Sequence, residues 1–344
     1  MILNERMETE ASGPTWRQLL TDGARMLAEA GIAEAELDAW YLLSAAFGID
    51  RVHFYLDQNS EVRRERLEAG YETYVSSLHR RAERVPLQQI LGSQEFMGLE
   101  FAVNEHVLIP RQDTETLVEA VLRDCADREI SLLDMCTGSG CIAISLAVLG
   151  GFRDVTAADI SREALDVARK NAKRLFLIQK GTVRSQSFLV SEEPWKLELK
   201  TYVADGESSK RRPLASAVRE AKERRLTLLQ SNLFDAVEPD VVYDVIVSNP
   251  PYIPSAVIEQ LEPEVRDHEP RLALDGREDG LYFYRALALE CSKHLKTGGA
   301  VYFEIGYDQS AAVEKILSIA GFDEIETIKD EPGLDRVVKA RWNR

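Results

Sequence analysis

The chain has 344 residues, enough for about two domains, and its 45% hydrophobic and 29% charged residues are typical of a globular protein without membrane-spanning segments. Its 42 basic and 58 acidic residues give a net charge of −16, which disfavours a general affinity for DNA or RNA. Four scattered cysteines exclude a disulfide framework, and five isolated histidines give no zinc-site spacing, so we expect no metal site.

The N-terminal region is predicted to be helical. Its first residues lack the basic-then-apolar order of a secretion signal, so we expect a cytoplasmic location. Thr15 and Gln18 fit a capping box at the start of one helix, and apolar-rich segments at 37–47 and 61–82 predict two more. These features predict a small helical domain over residues 1–88.

A hairpin and an α/β domain follow. The segment 94–103 alternates around Gly98 and predicts a β-hairpin within a linker of residues 89–107. From residue 108 to 344, strands alternate with helices, which predicts a doubly wound, mostly parallel sheet of seven strands with an antiparallel pair at one edge. The predicted strands are 130–136, 154–159, 226–232, 243–249, 300–306, 322–328 and 336–342.

One segment interrupts this alternation. Residues 177–225 separate a helix from the next strand by some fifty positions, so we interpret them as an insertion with a mobile middle and a helical end at 215–225. Its cluster at 210–212, Lys-Arg-Arg, suggests the hypothesis of a contact with an acidic face of a protein substrate.

A glycine-rich turn comes directly after the first predicted strand of the sheet. Gly138 and Gly140 allow a tight turn and a close approach to a ligand, and the following helix presents free N–H groups. Asp159 ends the next strand, where a carboxylate can accept hydrogen bonds from a ribose diol. The pattern predicts a nucleoside-binding site and fits a nicotinamide cofactor and S-adenosylmethionine equally well.

The tetrapeptide Asn249-Pro250-Pro251-Tyr252 follows the strand at 243–249 and separates these two cofactors. The Asn249 side-chain oxygen and the Pro250 carbonyl can each accept one N–H of a planar nitrogen and direct its lone pair at a methyl donor. Tyr252 can pack its ring over the planar group. No strong general base is required, because methylation itself makes the nitrogen acidic.

The sequence resembles the N5-glutamine methyltransferases that act on peptide chain release factors. The resemblance is carried by LLDMCTGSGCIAISLA, ADIS, ALDVARKNA and SNPPYI, and by IPR-x-DTE at 109–115, EPRLALDGREDGLYFYRAL at 269–287 and LKTGGAVYFEIGYDQ at 295–309. It implies a class I, Rossmann-like methyltransferase domain over 108–344 and a substrate-docking domain over 1–88. It also implies S-adenosylmethionine as cofactor and, as substrate, the glutamine of the Gly-Gly-Gln motif in class 1 release factors.

The resemblance also implies individual roles. Asn249, Pro250 and Tyr252 would be catalytic, and Asn249 to Tyr252, including Pro251, would hold the glutamine amide. The cofactor would be bound by Cys136, Thr137, Gly138, Ser139, Gly140, Asp159, Leu233 and Asn249. Leu233 stands where some members carry Trp, so aromatic stacking on adenine is not expected there. Arg111, Asp113 and Glu115 are expected to organise the wall of the site.

Other functions stay open at this point. A ribosomal-protein glutamine methyltransferase would share the whole catalytic logic and differ only in substrate docking. A DNA adenine-N6 methyltransferase uses the same tetrapeptide, but it must grip phosphates, for which a net charge of −16 is unsuited. A nicotinamide-dependent oxidoreductase leaves the segment 249–252 unexplained, and a non-catalytic binding module would require a degraded cofactor site.

Overall fold

The computed structural model describes residues 13–127, 129–177, 186–192, 195–204 and 218–344. Contacts divide the chain into two compact units. The first runs to Gly92 and includes Glu262–His268, and the second contains Ser93–Leu261 and Glu269–Arg344. Among the described residues, none of the helices is both long and apolar enough to cross a membrane. The cluster at 210–212 lies outside the described residues, so the hypothesis about it stays a prediction.

The first unit is helical, as predicted. Its helices are α1 (Trp16–Glu29), α2 (Ala35–Phe47), α3 (Arg51–Asp57), α4 (Arg64–Ala82) and α5 (Leu87–Leu91). The predicted capping box is present, because the Thr15 hydroxyl accepts from the Gln18 N–H while the Gln18 side chain accepts from the Thr15 N–H. Helices α3 and α5 were not predicted, because their seven and five residues are too few to show a helical period of apolar positions.

A buried charge cluster holds the segment Glu262–His268 in this unit. Arg81 donates to the Asp38 carboxylate over 2.7 Å and to Glu264 over 2.9 Å, and its side chain is only 10% exposed. Arg84 adds a second contact to Glu264, at 2.7 Å. Pairing with two carboxylates compensates for the loss of guanidinium hydration. The place of this segment in the first unit was not predicted, because it is distant in sequence from the rest of the unit.

The second unit begins with the predicted hairpin and continues as an α/β fold. Its strands are β1 (Ser93–Phe96), β2 (Leu99–Ala102), β3 (Ser131–Met135), β4 (Asp154–Asp159), β5 (Gln186–Glu192), β6 (Trp195–Ala204), β7 (Val218–Gln230), β8 (Tyr243–Ser248), β9 (Leu295–Glu304), β10 (Asp323–Lys329) and β11 (Asp335–Trp342). Its helices are α6 (Glu115–Asp124), α7 (Cys141–Ser145), α8 (Arg162–Leu177), α9 (Ser255–Ile258), α11 (Arg271–Leu274), α12 (Tyr282–His294) and α13 (Ser310–Ala320). The helix between α9 and α11, α10 (Pro263–His268), belongs to the first unit. A 3₁₀ turn, Gln112–Thr114, precedes α6, and a π-helical turn, Leu146–Gly150, extends α7.

The large sheet corrects the predicted strand count. Its order is β10-β11-β9-β8-β3-β4-β7-β6-β5, so nine strands are present among the described residues instead of the predicted seven. The two additional strands, β5 and β6, arise from the insertion and pair antiparallel next to β7. β10 and β11 form the predicted antiparallel pair, but the antiparallel strand β11 lies second from the edge, between β10 and β9.

The predicted helix at 215–225 is wrong over its described part. Residues from Val218 onward form the first half of β7, which pairs with β6 from Ala204 to Trp195. The Ala, Glu, Lys and Arg residues of this segment favour a helix in isolation. Pairing with β6 overrides that weak preference over this segment, and β4 pairs with β7 only from Arg225 onward.

The sheet brings three strand ends together at its centre. β3 lies between β4 and β8, parallel to both, with Met135 opposite Ala158 on one side and Ser248 on the other. The chain runs from β3 towards β7 in one direction and then returns to β8 and β9 on the other side of β3. Ligands bind at such a reversal point, outside the carboxyl ends of the strands. The glycine turn, Asp159 and the tetrapeptide therefore meet at one edge.

Candidate active site

A cavity of ≈ 240 Å³ opens at this edge of the sheet. Of the predicted site residues, those on its wall are Cys136, Thr137, Gly138, Ser139, Asp159, Leu233, Asn249 and Pro251. Gly140, Pro250 and Tyr252 are not among the residues that line it. The structure thus brings residues of both predicted groups to a single cavity. One group is the glycine-rich turn with Asp159, at the ends of β3 and β4, and the other is the tetrapeptide 249–252 after β8.

The glycine turn is held from below by a buried carboxylate. Asp134, within β3, is fully buried and accepts from the Thr137 hydroxyl over 2.6 Å and from the Ala143 N–H over 3.1 Å. Burial raises the pKa of Asp134 to about 7, although these two hydrogen bonds oppose the rise. The Asp134 contacts fix the turn that the sequence analysis recognised only by its glycines.

The two glycines of the turn serve different purposes. Gly138 has a φ of 56°, and a methyl group there would meet no atom within 4 Å, so this position faces open space. Gly140 has a φ of 81°, and a methyl group there would lie 2.8 Å from Ile144 and 3.1 Å from Ala168. Gly138 therefore leaves room for a ligand, while Gly140 allows α7 to pack closely on α8.

Asp159 links the turn to the end of β4. One of its carboxylate oxygens accepts from the Gly138 N–H over 2.8 Å, and the other accepts from the Ser161 N–H over 2.9 Å. Each oxygen keeps a second lone pair, so the carboxylate can still accept from a ligand hydroxyl. Burial raises the pKa of Asp159, against the effect of the backbone hydrogen bonds.

Asn249 leaves the end of β8 and reaches towards the start of α6. Its Nδ2 donates to the Thr114 hydroxyl over 3.3 Å, and Thr114 also lines the cavity. The strand end itself is fixed because the Ser248 hydroxyl donates to the Met135 carbonyl over 2.6 Å. Asn249 thus lines the cavity with its Nδ2 engaged by a protein hydroxyl, and its binding of a substrate amide stays a prediction.

Tyr252 packs against the core of the second unit. Its side chain contacts that core, and its carbonyl accepts from Gln309 Nε2 over 3.0 Å. Burial raises its pKa far above the ordinary range. The predicted packing of the Tyr252 ring over a planar substrate group stays a prediction.

A second loop covers the tetrapeptide and was missed as part of the site. The Ile253 N–H donates to the Leu274 carbonyl, and the Gly276 N–H donates back to Ile253. A methyl group on Gly276 would lie 2.7 Å from the Tyr252 backbone, so only glycine permits this approach. The segment from Pro270 to Phe283, which contains this loop, α11 and the start of α12, contributes further cavity residues, which are Pro270, Leu272, Ala273, Arg277, Tyr282 and Phe283.

An ion pair between Arg111 and Glu269 supports the part of the cavity wall that contains Arg111. Arg111 donates to both carboxylate oxygens of Glu269, over 2.9 and 2.7 Å. Glu269 is 5% exposed, and burial raises its pKa in spite of the arginine. Asp113 lies 3.0 Å from Arg336, and the Glu115 carboxylate accepts from the Met97 N–H. Of these three residues Arg111 lines the cavity, and the expected role of Arg111, Asp113 and Glu115 in organising its wall stays a prediction.

Comparison with known proteins yields two family matches. The family described as the PrmC N-terminal domain matches residues 18–92. The family described as ribosomal protein L11 methyltransferase (PrmA) matches residues 113–196.

Two relatives match this chain over more than nine-tenths of its length. A release factor glutamine methyltransferase from Geobacter sulfurreducens is 38% identical over 327 residues, which cover 95% of this chain and 96% of the relative. A protein of the same name from Caulobacter vibrioides is 37% identical, with 91% of each chain covered. Among solved structures, a methyltransferase from Pyrococcus furiosus has a TM-score of 0.45 at 16% identity, covering 77% of this chain and 99% of its own.

Proposed function

The chain belongs to the release factor glutamine methyltransferase family, and from this premise we propose that it methylates a glutamine side-chain amide of a class 1 release factor, in its Gly-Gly-Gln motif. The methyl donor is S-adenosylmethionine, the cofactor of the family. The observation that carries the proposal is the position of Asn249, which shares one cavity with Gly138 and Asp159.

The cavity fits the cofactor. Gly138 leaves open space where any other residue would place a Cβ, and Asp159 offers acceptors for ribose hydroxyls beside it. Ile160 and Leu233 add apolar wall suited to an adenine ring. S-adenosylmethionine supplies an electrophilic methyl group on a sulfonium sulfur.

The protein's part in the reaction is to hold the amide. The lone pair of an amide nitrogen is delocalised into the carbonyl and is a poor nucleophile. Asn249 Oδ1 and the Pro250 carbonyl each accept one N–H, which favours a pyramidal nitrogen with its lone pair directed into the cavity. In this proposal the same two acceptors stabilise the positive charge that develops on nitrogen in the transition state. The extra proton leaves after transfer, so no residue is required as a strong base.

We further propose that the helical unit, residues 1–88 of the predicted domain, docks the protein substrate. Helix α3 supports this proposal, because it exposes Val52 (67%), Tyr55 (65%) and Leu56 (77%) next to one another. Exposed apolar groups of this kind mark surfaces that bind other proteins. Leu56→Ser should raise KM for the release factor without changing the affinity for the cofactor. Leu289→Ser, which changes another exposed leucine (59%) on α12, serves as control and should change neither.

The substrate is tested with labelled S-adenosylmethionine. The enzyme is incubated separately with a release factor, with the same release factor carrying Gln→Glu in its Gly-Gly-Gln motif, with ribosomal protein L11, and with DNA. Label is expected in the unaltered release factor alone, on a peptide that contains the glutamine. Label in the ribosomal protein instead would show that this protein, and not a release factor, is the substrate. Label in DNA alone would overturn the proposal of amide methylation.

A further inference from the structure

Glu304 is a buried acid that none of the roles above employs. It ends β9, the strand that pairs with β8, and Phe303 lies opposite Ser248 in that pairing. Glu304 is 1% exposed, and its Oε2 has no hydrogen-bond partner in the part of the chain that the structure describes. A buried carboxylate with an unsatisfied oxygen is destabilising, so its presence one strand away from Asn249 requires a reason.

The polar groups that Glu304 faces belong to the amide-binding site. Hydrogen bonding by the Thr114 hydroxyl and by the Asn249 side chain favours its charged form. Asn249 Nδ2 in turn donates to Thr114 over 3.3 Å. An ionised carboxylate can only accept hydrogen bonds, so it attracts the Nδ2 end of the Asn249 carboxamide and repels the Oδ1 end.

The orientation of this carboxamide decides whether the substrate amide can be held between Asn249 Oδ1 and the Pro250 carbonyl, an arrangement that we call the amide clamp. With Nδ2 towards Thr114 and Glu304, Oδ1 faces the cavity and can accept from the substrate amide. A half-turn about the last side-chain bond would present an NH₂ group to the NH₂ group of the substrate, which places donors against donors. Such a pair is repulsive and leaves both groups without an acceptor.

We propose that Glu304 is a positioning residue whose carboxylate keeps Asn249 Oδ1 turned towards the substrate amide. When Glu304 is protonated, it becomes a hydrogen-bond donor and attracts Oδ1 instead, which stabilises the unproductive orientation. The proposal rests on the amide clamp of the proposed function and adds a protonation-dependent control to it.

The surroundings set the pH at which this control operates. Burial raises the pKa of Glu304 to about 7, and the Thr114 and Asn249 hydrogen bonds and Arg336 oppose the rise. The other charged or titratable groups that interact with it are Asp113, Tyr252, Tyr284 and Cys141. Arg336 is itself bound to Asp330 over 3.0 Å, so its charge lowers the pKa of Glu304 only partly.

Glu304→Gln tests the proposal in the full-length enzyme, with release factor and S-adenosylmethionine as substrates. The neutral side chain no longer distinguishes the two ends of the carboxamide, so we expect kcat to fall about 10- to 100-fold. The Kd of the cofactor should stay within about threefold, because Glu304 does not line the cavity. The wild-type kcat should rise with pH to a plateau above about pH 7, and this rise should be absent from the variant. Glu324→Gln, on the exposed face of β10, is the control and should behave as wild type.

Thr114 provides a second pair of variants. Thr114→Val removes the hydroxyl that accepts from Asn249 and should lower kcat, while Thr114→Ser keeps it and should restore most of the activity. An unchanged kcat in both Glu304→Gln and Thr114→Val would overturn the proposal. An equal loss of cofactor affinity would also overturn it, because it would indicate a general distortion of the cavity.

A measurement without substrate separates this proposal from the proposed function. In enzyme labelled with ¹⁵N on asparagine, the Asn249 side-chain NH₂ resonances, assigned by their loss in Asn249→Ala, should shift with the protonation of Glu304. The shift should be absent from Glu304→Gln. If wild-type enzyme methylates no release factor but this titration occurs, only the proposed substrate is wrong. If methylation occurs and the resonances do not titrate, the role of Glu304 is wrong.

Discussion

Replacing Glu304 by glutamine is expected to stabilise the protein at high pH. Burial raises the pKa of Glu304 from 4.5 to about 7, so the folded state holds a proton that the unfolded state has already released. The contribution of Glu304 to the free energy of unfolding is therefore greatest below pH 4.5 and declines as the pH rises to about 7. The full loss is about 3.4 kcal/mol, since one pKa unit corresponds to about 1.36 kcal/mol.

Most of this loss is already complete at pH 6, where the protein can still be handled above its pI of ≈ 4.9. Integrating the linkage relation between pH 6 and pH 8.5 leaves about 1.4 kcal/mol from Glu304. Asp134, whose pKa burial also raises to about 7, adds a slope of the same sign to wild type and variant alike. The difference between the two proteins therefore isolates Glu304.

The assay is urea unfolding at pH 6 and at pH 8.5. Unfolding is monitored by the amide hydrogen exchange of peptides from β9, which reports on the second unit alone. The free energy of unfolding of Glu304→Gln minus that of wild type should increase by about 1.4 kcal/mol between the two pH values. Comparing this difference at two pH values cancels any pH-independent effect of the substitution. A constant difference would show that Glu304 is already ionised at pH 6 and would refute the burial argument.

Three further changes have expected outcomes. Asn249→Ala should lower kcat by about 10²- to 10³-fold with little change in the calorimetric Kd of S-adenosylmethionine, and a collapse of cofactor binding would contradict the clamp. Gly140→Ala should destabilise the second unit more than Gly138→Ala does in urea unfolding, because only the former meets neighbouring atoms, whereas Gly138→Ala should weaken cofactor binding more. Arg81→Met should destabilise the first unit by about 3–5 kcal/mol because it removes the arginine partner of the buried Asp38 carboxylate, whereas Glu264 keeps Arg84; the exposed Arg80→Met should leave the urea midpoint unchanged.

The sequence predicts the central strands of the sheet because each is a short apolar run followed by residues that end strands, such as glycine and proline. Gly138 and Pro250 mark two strand ends, and parallel strands end at the same edge, so the meeting of both constellations could be predicted. Glu304 could not be, because it stands in an ordinary strand sequence and acquires its environment only when β9 pairs with β8. The strand at 218–225 was missed for a related reason, since its charged residues favour a helix and only pairing with β6 makes the segment a strand.

The segment Glu262–His268 determines when the first unit can finish folding during synthesis. The first unit extends to Gly92, yet Glu264, a partner of its buried arginine, is translated 264 − 92 = 172 residues later. At about 5–20 residues per second, the ribosome needs roughly 9 to 34 s to cover that distance. The helical unit thus begins to fold first but is completed only after β8 and the following Asn249 have been made.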